Sequence, residues 1–387
     1  MKKMLNGLMA VLVLGALLAG MALAVLRPKT VNFFENRPAE ALPAFSAKAA
    51  LSGEFQDALD TALHDQIPAA QLLEENWQTA RSAMTLGAVL RQTAARPNAY
   101  FAFNDLLLFG GDIVYKPIDA AHKMGELTAM AANLNGLFTA YPKLSYYVFY
   151  IEKDTDIDFE TGASMGIGDA MLSLLWLPQE RLACDPVTDY ADFRARFFRT
   201  DHHWNRVGSY DGYLRLLELM GKTDPIQPEG TETLTPSFSG SKAIQSGARE
   251  QFTEPFEVYR YSFPEMSVTI NGKPFGDYGN QTDPAALAQD AVSYSAYYGD
   301  DYGEVIFQTG NIGAGRILVL GESFDNAVVK LLASHFETLY AVDLRAYETD
   351  MGEPFRFGEY IEQHEIDTVL FIGNIDFFLL PVFHVEG

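Results

Sequence analysis

Two hydrophobic rhythms divide the chain. In its last quarter, apolar runs too short for helices, "GRILVLGESF" (315–324), "TLYAVDL" (338–344) and "DTVLFIGN" (367–374), alternate with "DNAVVKLLASHF" (325–336) and "PFRFGEYIEQH" (354–364), whose apolar positions repeat at helical spacing. Strand, helix, strand, helix, strand in that order predicts a doubly wound parallel sheet with helices on both faces. Upstream, "NDLLLFGGDIVYKP" (104–117) predicts a hairpin turning at Gly-Gly-Asp, and "LSYYVFYIE" (144–152) a buried strand. Helices are predicted over 120–140, 162–175 and 206–221, the last stopping at Gly221.

The rhythm breaks over residues 222–312. This stretch is rich in Pro, Gly, Ser, Thr and Tyr, with short alternating runs such as "FEVYRY" and "MSVTI". It reads as an irregular β-containing insertion, a lid in outline. At the other end, Leu8 to Leu26 carries no charge and follows two lysines, Lys2 and Lys3. About 20 apolar residues cross a bilayer as a helix, with the lysines kept inside. The expectation is a single-pass anchor in the cell membrane (residues 1–30), a membrane-proximal helical spacer (31–98, with helices over 52–64 and 69–95) and an extracytoplasmic α/β domain (99–387). "ALA" at 22–24 offers cleavage and secretion as the alternative.

Composition narrows the partners. Lys and Arg number 28 against 51 Asp and Glu, a net charge of −23, which argues against nucleic acid. Hydrophobic residues make up 48% of the chain, enough for a large core. The one cysteine, Cys184, rules out an intramolecular disulfide and any multi-thiolate zinc site.

Two stretches carry chemistry. Ser323 follows Gly321 and Glu322 at the carboxyl end of a predicted strand, where ligands sit in parallel sheets, and just before a predicted helix whose amino end favours an oxyanion. A serine there is placed to be a nucleophile, although serine is also a common helix cap. A nucleophilic serine needs a base and an orienting acid. "TDHHWN" (200–205) offers both: if the segment is extended, Asp201 and His203 point to one side and His202 to the other. The other readings of Asp201-His202-His203 are a metal site and packing histidines. A metal-dependent phosphoesterase would need further Asp-rich strand ends, and "DTDID" (154–158) is the nearest.

"TDHHWN" with "GSYDGYLRLL" and the later "GESF", preceded by "FFENRPAEALPAF" (33–45) and "HDQIPAAQLL" (64–73), resembles the bacterial DHHW proteins and the related alginate O-acetylation proteins of the SGNH hydrolase superfamily. The resemblance implies an SGNH-like fold, Ser323 as nucleophile, and Asp201 with His203 as the activating pair. It further implies an O-acyltransferase or carbohydrate esterase that modifies a cell-surface polysaccharide, needs no metal or diffusible cofactor, and works with a membrane-bound O-acyltransferase. A fold kept for glycan binding or scaffolding without activity is the alternative. By similarity to Gly-x-Asn-Asp, Asn374 is the side-chain donor to the oxyanion beside the Ser323 N–H, with Trp204 and Asn205 as further substrate contacts. Typical SGNH hydrolases place Asp-x-x-His after the serine. Here that spacing occurs only at Asp119–His122, ahead of it, and Glu322 stands where relatives have Asp or Thr. Among the aromatics, "SYSAYYGDDYG" (293–303) is dense enough to suggest a surface platform for sugars.

Overall fold

The protein is described from a computed structural model that covers residues 85–276, 278 and 293–380, with scattered positions between 31 and 77. The expected anchor, and most of the 33–45 and 64–73 signatures and of the 52–64 helix, lie outside the described residues. Among those described, no helix is long and apolar enough to cross a membrane, and residues 85–95 are helical.

Phe101–Phe103 (β1), Leu106–Phe109 (β2) and Asp112–Val114 (β3) form a small antiparallel sheet, which includes the predicted hairpin. Helix α1, Ala120–Ala140, matches its predicted span, and its first turn is capped by the Asp119 carboxylate, which accepts from Ala121 N. That cap disposes of Asp119–His122 as a catalytic pair: His122 lies 3.2 Å from Asp119 with its side chain 83% exposed. There follow Ser145–Ile151 (β4), a helix Ile167–Ser173 (α2) shorter than predicted, Leu182–Asp185 (β5), Tyr190–Arg196 (α3) and Arg206–Leu219 (α4).

The region 222–312 is not a separate lid. Its first part is a hairpin, Gly230–Phe238 (β6) and Glu254–Arg260 (β7), with a short helix Ser241–Gln245 (α5) between the strands. Its second part, Met266–Ile270 (β8), Lys273–Phe275 (β9) and Glu304–Thr309 (β10), extends the main sheet with antiparallel strands. The alternation in "MSVTI" fits this position, because an antiparallel edge buries one face and leaves the other wet. Between β9 and β10 lies the one-turn helix Tyr294–Tyr298 (α6).

Arg316–Leu320 (β11), Thr338–Val342 (β12) and Thr368–Gly373 (β13) complete the sheet, with Phe357–Gln363 (α8) before β13. The segment 325–336 is not one helix. It splits into a 3₁₀ turn, Asp325–Ala327, and a five-residue helix Val329–Ala333 (α7), with the β-branched Val328 and Val329 at the break.

The eight-stranded order is β9-β8-β10-β12-β11-β13-β4-β5. The five strands from β12 to β5 are mutually parallel. Alternate side chains feed two cores. Val148, Leu318, Val342 and Phe371 pack with α1, α2 and α8 on one face. Phe149, Val319, Leu339 and Ile372 pack with α4 and α7 on the other. Each large apolar side chain so buried contributes roughly 1.5–3 kcal/mol, which fixes the strand ends tightly.

Counted from β11, the parallel strands run 2-1-3-4-5 across the sheet, the doubly wound order whose ligand crevice opens between strands 1 and 3. Those strands are β11 and β13, which lead into Ser323 and Asn374. The chain, however, enters this order at the fourth strand, β4. The Asp201–His203 segment therefore follows the fifth strand in space while preceding the serine in sequence.

Candidate active site

Three pieces of chain meet at the carboxyl edge of the parallel strands: the turn after β11, the loop between α3 and α4, and the β6–β7 hairpin. After Leu320 the chain leaves the sheet through Gly321 and Glu322, both buried, and presents Ser323 half-buried. Gly321 lies close to Asp325: a Cβ there would run into its carboxylate. With only a 3₁₀ turn behind it, the serine is not at the head of a long helix, so the dipole anticipated from the sequence is small.

The loop reverses direction within a few residues. Phe197 and Trp204 form an isolated antiparallel bridge, Phe198 N donates to His203 O at 3.1 Å, and Asn205 N donates to Arg196 O at 2.8 Å. Residues 201–203 are bends, not the extended segment expected. Asp201 Oδ1 accepts from the backbone N–H of His203 at 3.0 Å and lies 2.6 Å from His203 Nδ1. The far ring nitrogen, Nε2, lies 2.8 Å from Ser323 Oγ. Because the backbone bends, His202 does not face away as alternation required. Its ring centroid lies 3.8 Å from that of His203, tilted by 35°. The Tyr294 ring lies flat against His203 as well, at 3.7 Å and 3°. Two rings this close to one imidazole must occupy its opposite faces, so His203 is sandwiched.

The hairpin braces the loop. Ser241 N donates to Asp201 Oδ2 at 2.8 Å, and Gly240 N to Thr200 Oγ1 at 3.1 Å. The Thr200 hydroxyl and N–H both donate to Glu254 Oε1 at 2.7 Å. A Cβ on Gly240 would overlap the Cα and Cβ of Asp201, so only glycine lets the hairpin come this near. Burial alone would raise the Asp201 carboxyl. The His203 and His202 rings and the N–H donors outweigh it and hold the group well below the usual carboxylate range. His202 moves the other way: burial, then the charge on His203, keeps its imidazole well below the ordinary histidine value.

The expected accessory residues are placed otherwise. Asn374 ends β13 as anticipated, but it is 1% exposed, its amide donates to Glu322 Oε1 at 2.6 Å, and its Oδ1 accepts from Asp376 N at 2.8 Å. It holds the serine turn from beneath, with one amide hydrogen committed to Glu322. Trp204 is fully buried, 5.8 Å from Phe324, and cannot reach a substrate. Asn205 caps α4 through Val207 N and Gly208 N and donates to Ala195 O and Phe197 O, so its whole amide is engaged. Tyr294, Tyr297 and Tyr298 are buried, which removes the surface platform expected at 293–303.

Glu322 links two strand ends: burial raises its carboxyl, one oxygen takes the Asn374 amide and the other lies 3.5 Å from Ser323 Oγ. No spacing signal pointed to Gly240, Ser241 or Thr200, which touch the site only through the fold. Asp201, His202 and His203 also lie close enough to share a cation. To do so, His203 would have to release one of the hydrogen bonds that orient it, whereas His202 Nε2 has no partner among the described residues.

Residues 190–342, which hold both the loop and the serine turn, match the family model described as DHHW protein. The resemblance to the DHHW proteins holds. Solved structures of the same fold include Bacillus cereus PatB1 with a sulfonyl adduct, at TM-score 0.54 and 19% identity over 73% of this chain and 97% of that one. They also include a DHHW family protein from Eubacterium siraeum, at 0.53 and 18% identity over 73% and 94%. The O-acetyltransferase domain of Pseudomonas putida AlgJ aligns more loosely, at 0.38 and 10% identity over 72% and 90%. No curated protein is a significant sequence match.

Proposed function

We propose that the chain is a serine acyltransferase or esterase that moves an acyl group to a hydroxyl of a cell-surface polysaccharide, or to water, outside the cytoplasm. The observation that carries this reading is the unbroken line of contacts from Asp201 through His203 to Ser323. His203 Nε2 takes the Ser323 proton as Oγ attacks the acyl carbonyl of the donor. The imidazolium so formed lies between Tyr294 and His202 and is held by ionised Asp201. The same proton then goes to the leaving group, completing the acyl-enzyme. In the second half an acceptor hydroxyl gives its proton to Nε2, its oxygen forms the new ester, and the Ser323–acyl bond breaks with the proton returned to Oγ. The Ser323 N–H is the donor placed for the oxyanion.

The sulfonyl adduct on PatB1, a protein of the same fold, is in keeping with a site that reacts with sulfonyl electrophiles. An N-terminal membrane anchor and delivery of the acyl group by a membrane-bound O-acyltransferase complete the proposal. The test is labelling with a fluorophosphonate probe and turnover of p-nitrophenyl acetate. Ser323→Ala is expected to abolish labelling and lower turnover by about a thousandfold or more. Labelling that survives in that variant overturns the reading.

A further inference from the structure

Besides Asp201 and His203, the Asp-His-His-Trp run holds two residues that carry no proton in the chemistry above, and of these only His202 is not fully buried. His202 is pinned by a contact from another element: its Nδ1 lies 2.6 Å from Ser241 Oγ on α5. The same Ser241 donates its backbone N–H to Asp201. The His202 side chain is 30% exposed, and among the described residues Nε2 has no hydrogen-bond partner and is not enclosed. The ring rests against His203, whose Nε2 holds the serine. A nitrogen of a fixed ring thus lies one ring away from the imidazole that holds the reacting hydroxyl.

We propose that His202 and Ser241 form the hydroxyl-binding subsite that favours a polyhydroxylated acceptor over water. This rests on the acyl-transfer reading. The chemistry selects the ligand class. A hydroxyl hydrogen rotates, so Ser241 can donate to Nδ1 or accept from it. In the first case Nε2 carries the proton and donates; in the second it accepts. Either way a hydroxyl can answer, because it does both, whereas an ammonium only donates and a carboxylate only accepts. The hydroxyl held by His202 is a neighbour of the one that reacts. The reacting hydroxyl gives its proton to His203 Nε2 while its oxygen attacks the acyl carbon and the Ser323 ester bond breaks. Water has no second hydroxyl to offer, so it gains nothing from the subsite.

The experiment uses the full chain, p-nitrophenyl acetate as donor, and methyl glucoside as acceptor. The nitrophenolate burst reports acylation of Ser323, and the ratio of acetylated glucoside to free acetate reports the choice of acceptor. His202→Phe keeps a ring against His203 but removes both nitrogens. The expected result is a transfer-to-hydrolysis ratio lowered about tenfold, the size of one net hydrogen bond, read on the acyl-enzyme that forms whatever the burst rate. Ser241→Ala keeps the backbone bond to Asp201 and should lower the ratio by a smaller factor, about threefold. An unchanged ratio in both variants overturns the inference while leaving the acyl-enzyme intact. So does a wild-type protein in which methyl glucoside never competes with water. A wild-type protein with no burst overturns the acyl-transfer reading itself.

Discussion

The serine turn and the Asp–His loop face each other across one hydrogen bond, yet they are held in different ways. The turn is an outgrowth of the central sheet. β11 lies between β12 and β13, its inward side chains are fully buried, and Ser323 inherits that rigidity three residues later. The loop makes its own bonds, from Phe198 N to His203 O and from Asn205 N to Arg196 O, but it lies off the sheet. It is clamped from outside, by Ser241 on Asp201 and by Gly240 and Glu254 on Thr200. The difference extends to charge. On the loop, opposing rings and N–H donors keep Asp201 ionised. At the strand ends burial dominates: Glu152, just past β4, is lifted to about 7, and Asp156 to about 6. A catalytic pair assembled this way should be easier to disable from the clamp than from the sheet.

The sharpest test of that asymmetry is a pair of glycines. In Gly240→Ala the new methyl meets the Cα and Cβ of Asp201, atoms that cannot rotate away. The acid and its histidine must shift together, and a displacement near 1 Å costs about a hundredfold in kcat/KM, with a smaller change in Tm. In Gly321→Ala the methyl meets the Asp325 carboxylate, the end of a side chain that can turn. There the loss in kcat/KM should stay within about tenfold. Equal losses, measured on p-nitrophenyl acetate, would mean that the clamp is no weaker than the sheet.

The smallest effect concerns stability and separates the two kinds of carboxylate. Unfolded, Glu152 and Asp156 ionise near their ordinary values, about 4. Between there and about 7 the folded chain binds more protons than the unfolded one, so stability falls as pH rises. Urea unfolding should give a free energy higher at pH 5 than at pH 8 by on the order of 2 kcal/mol, with most of that slope removed in Glu152→Gln. Asp201 acts with the opposite sign: its depressed value adds stability that is present above the ordinary carboxylate pKa and is lost only far into acid. A curve that rises from pH 5 to 8 would show that strand-end burial does not set the slope, because Asp201 adds none in that range.

Much of the sheet was readable before any coordinates. Buried parallel strands such as Thr368–Gly373 are apolar on both faces, and the helix Arg206–Leu219 carries its glycine stop in the sequence. Where the reading failed, contacts distant in sequence had intervened. Residues 293–303 look like a surface platform by composition, yet Tyr294 is buried because His203 offers it a flat partner. Asn374 stands at the right strand end, but the Glu322 carboxylate, one methylene longer than Asp, reaches its amide. His202 was assigned by strand alternation, which the bend at 201–203 cancels. The strands of the region 222–312 were visible, but not that three of them would join the main sheet, since an alternating run does not name its neighbour.

The sequence by itself determined the alternation of strands and helices, the position of Ser323 at a strand end and the nearness of Asp201 to His203. All of these depend on residues within a few positions of one another. The tertiary structure alone decided that the chain enters the doubly wound order at its fourth strand, which sets a histidine 120 residues upstream within 2.8 Å of the serine. It alone decided, too, that a distant hairpin closes on the aspartate and that two rings enclose the imidazole. Local periodicity fixes which elements form, whereas the choice of spatial neighbour comes from burying whole faces together, and no single stretch of chain contains that information.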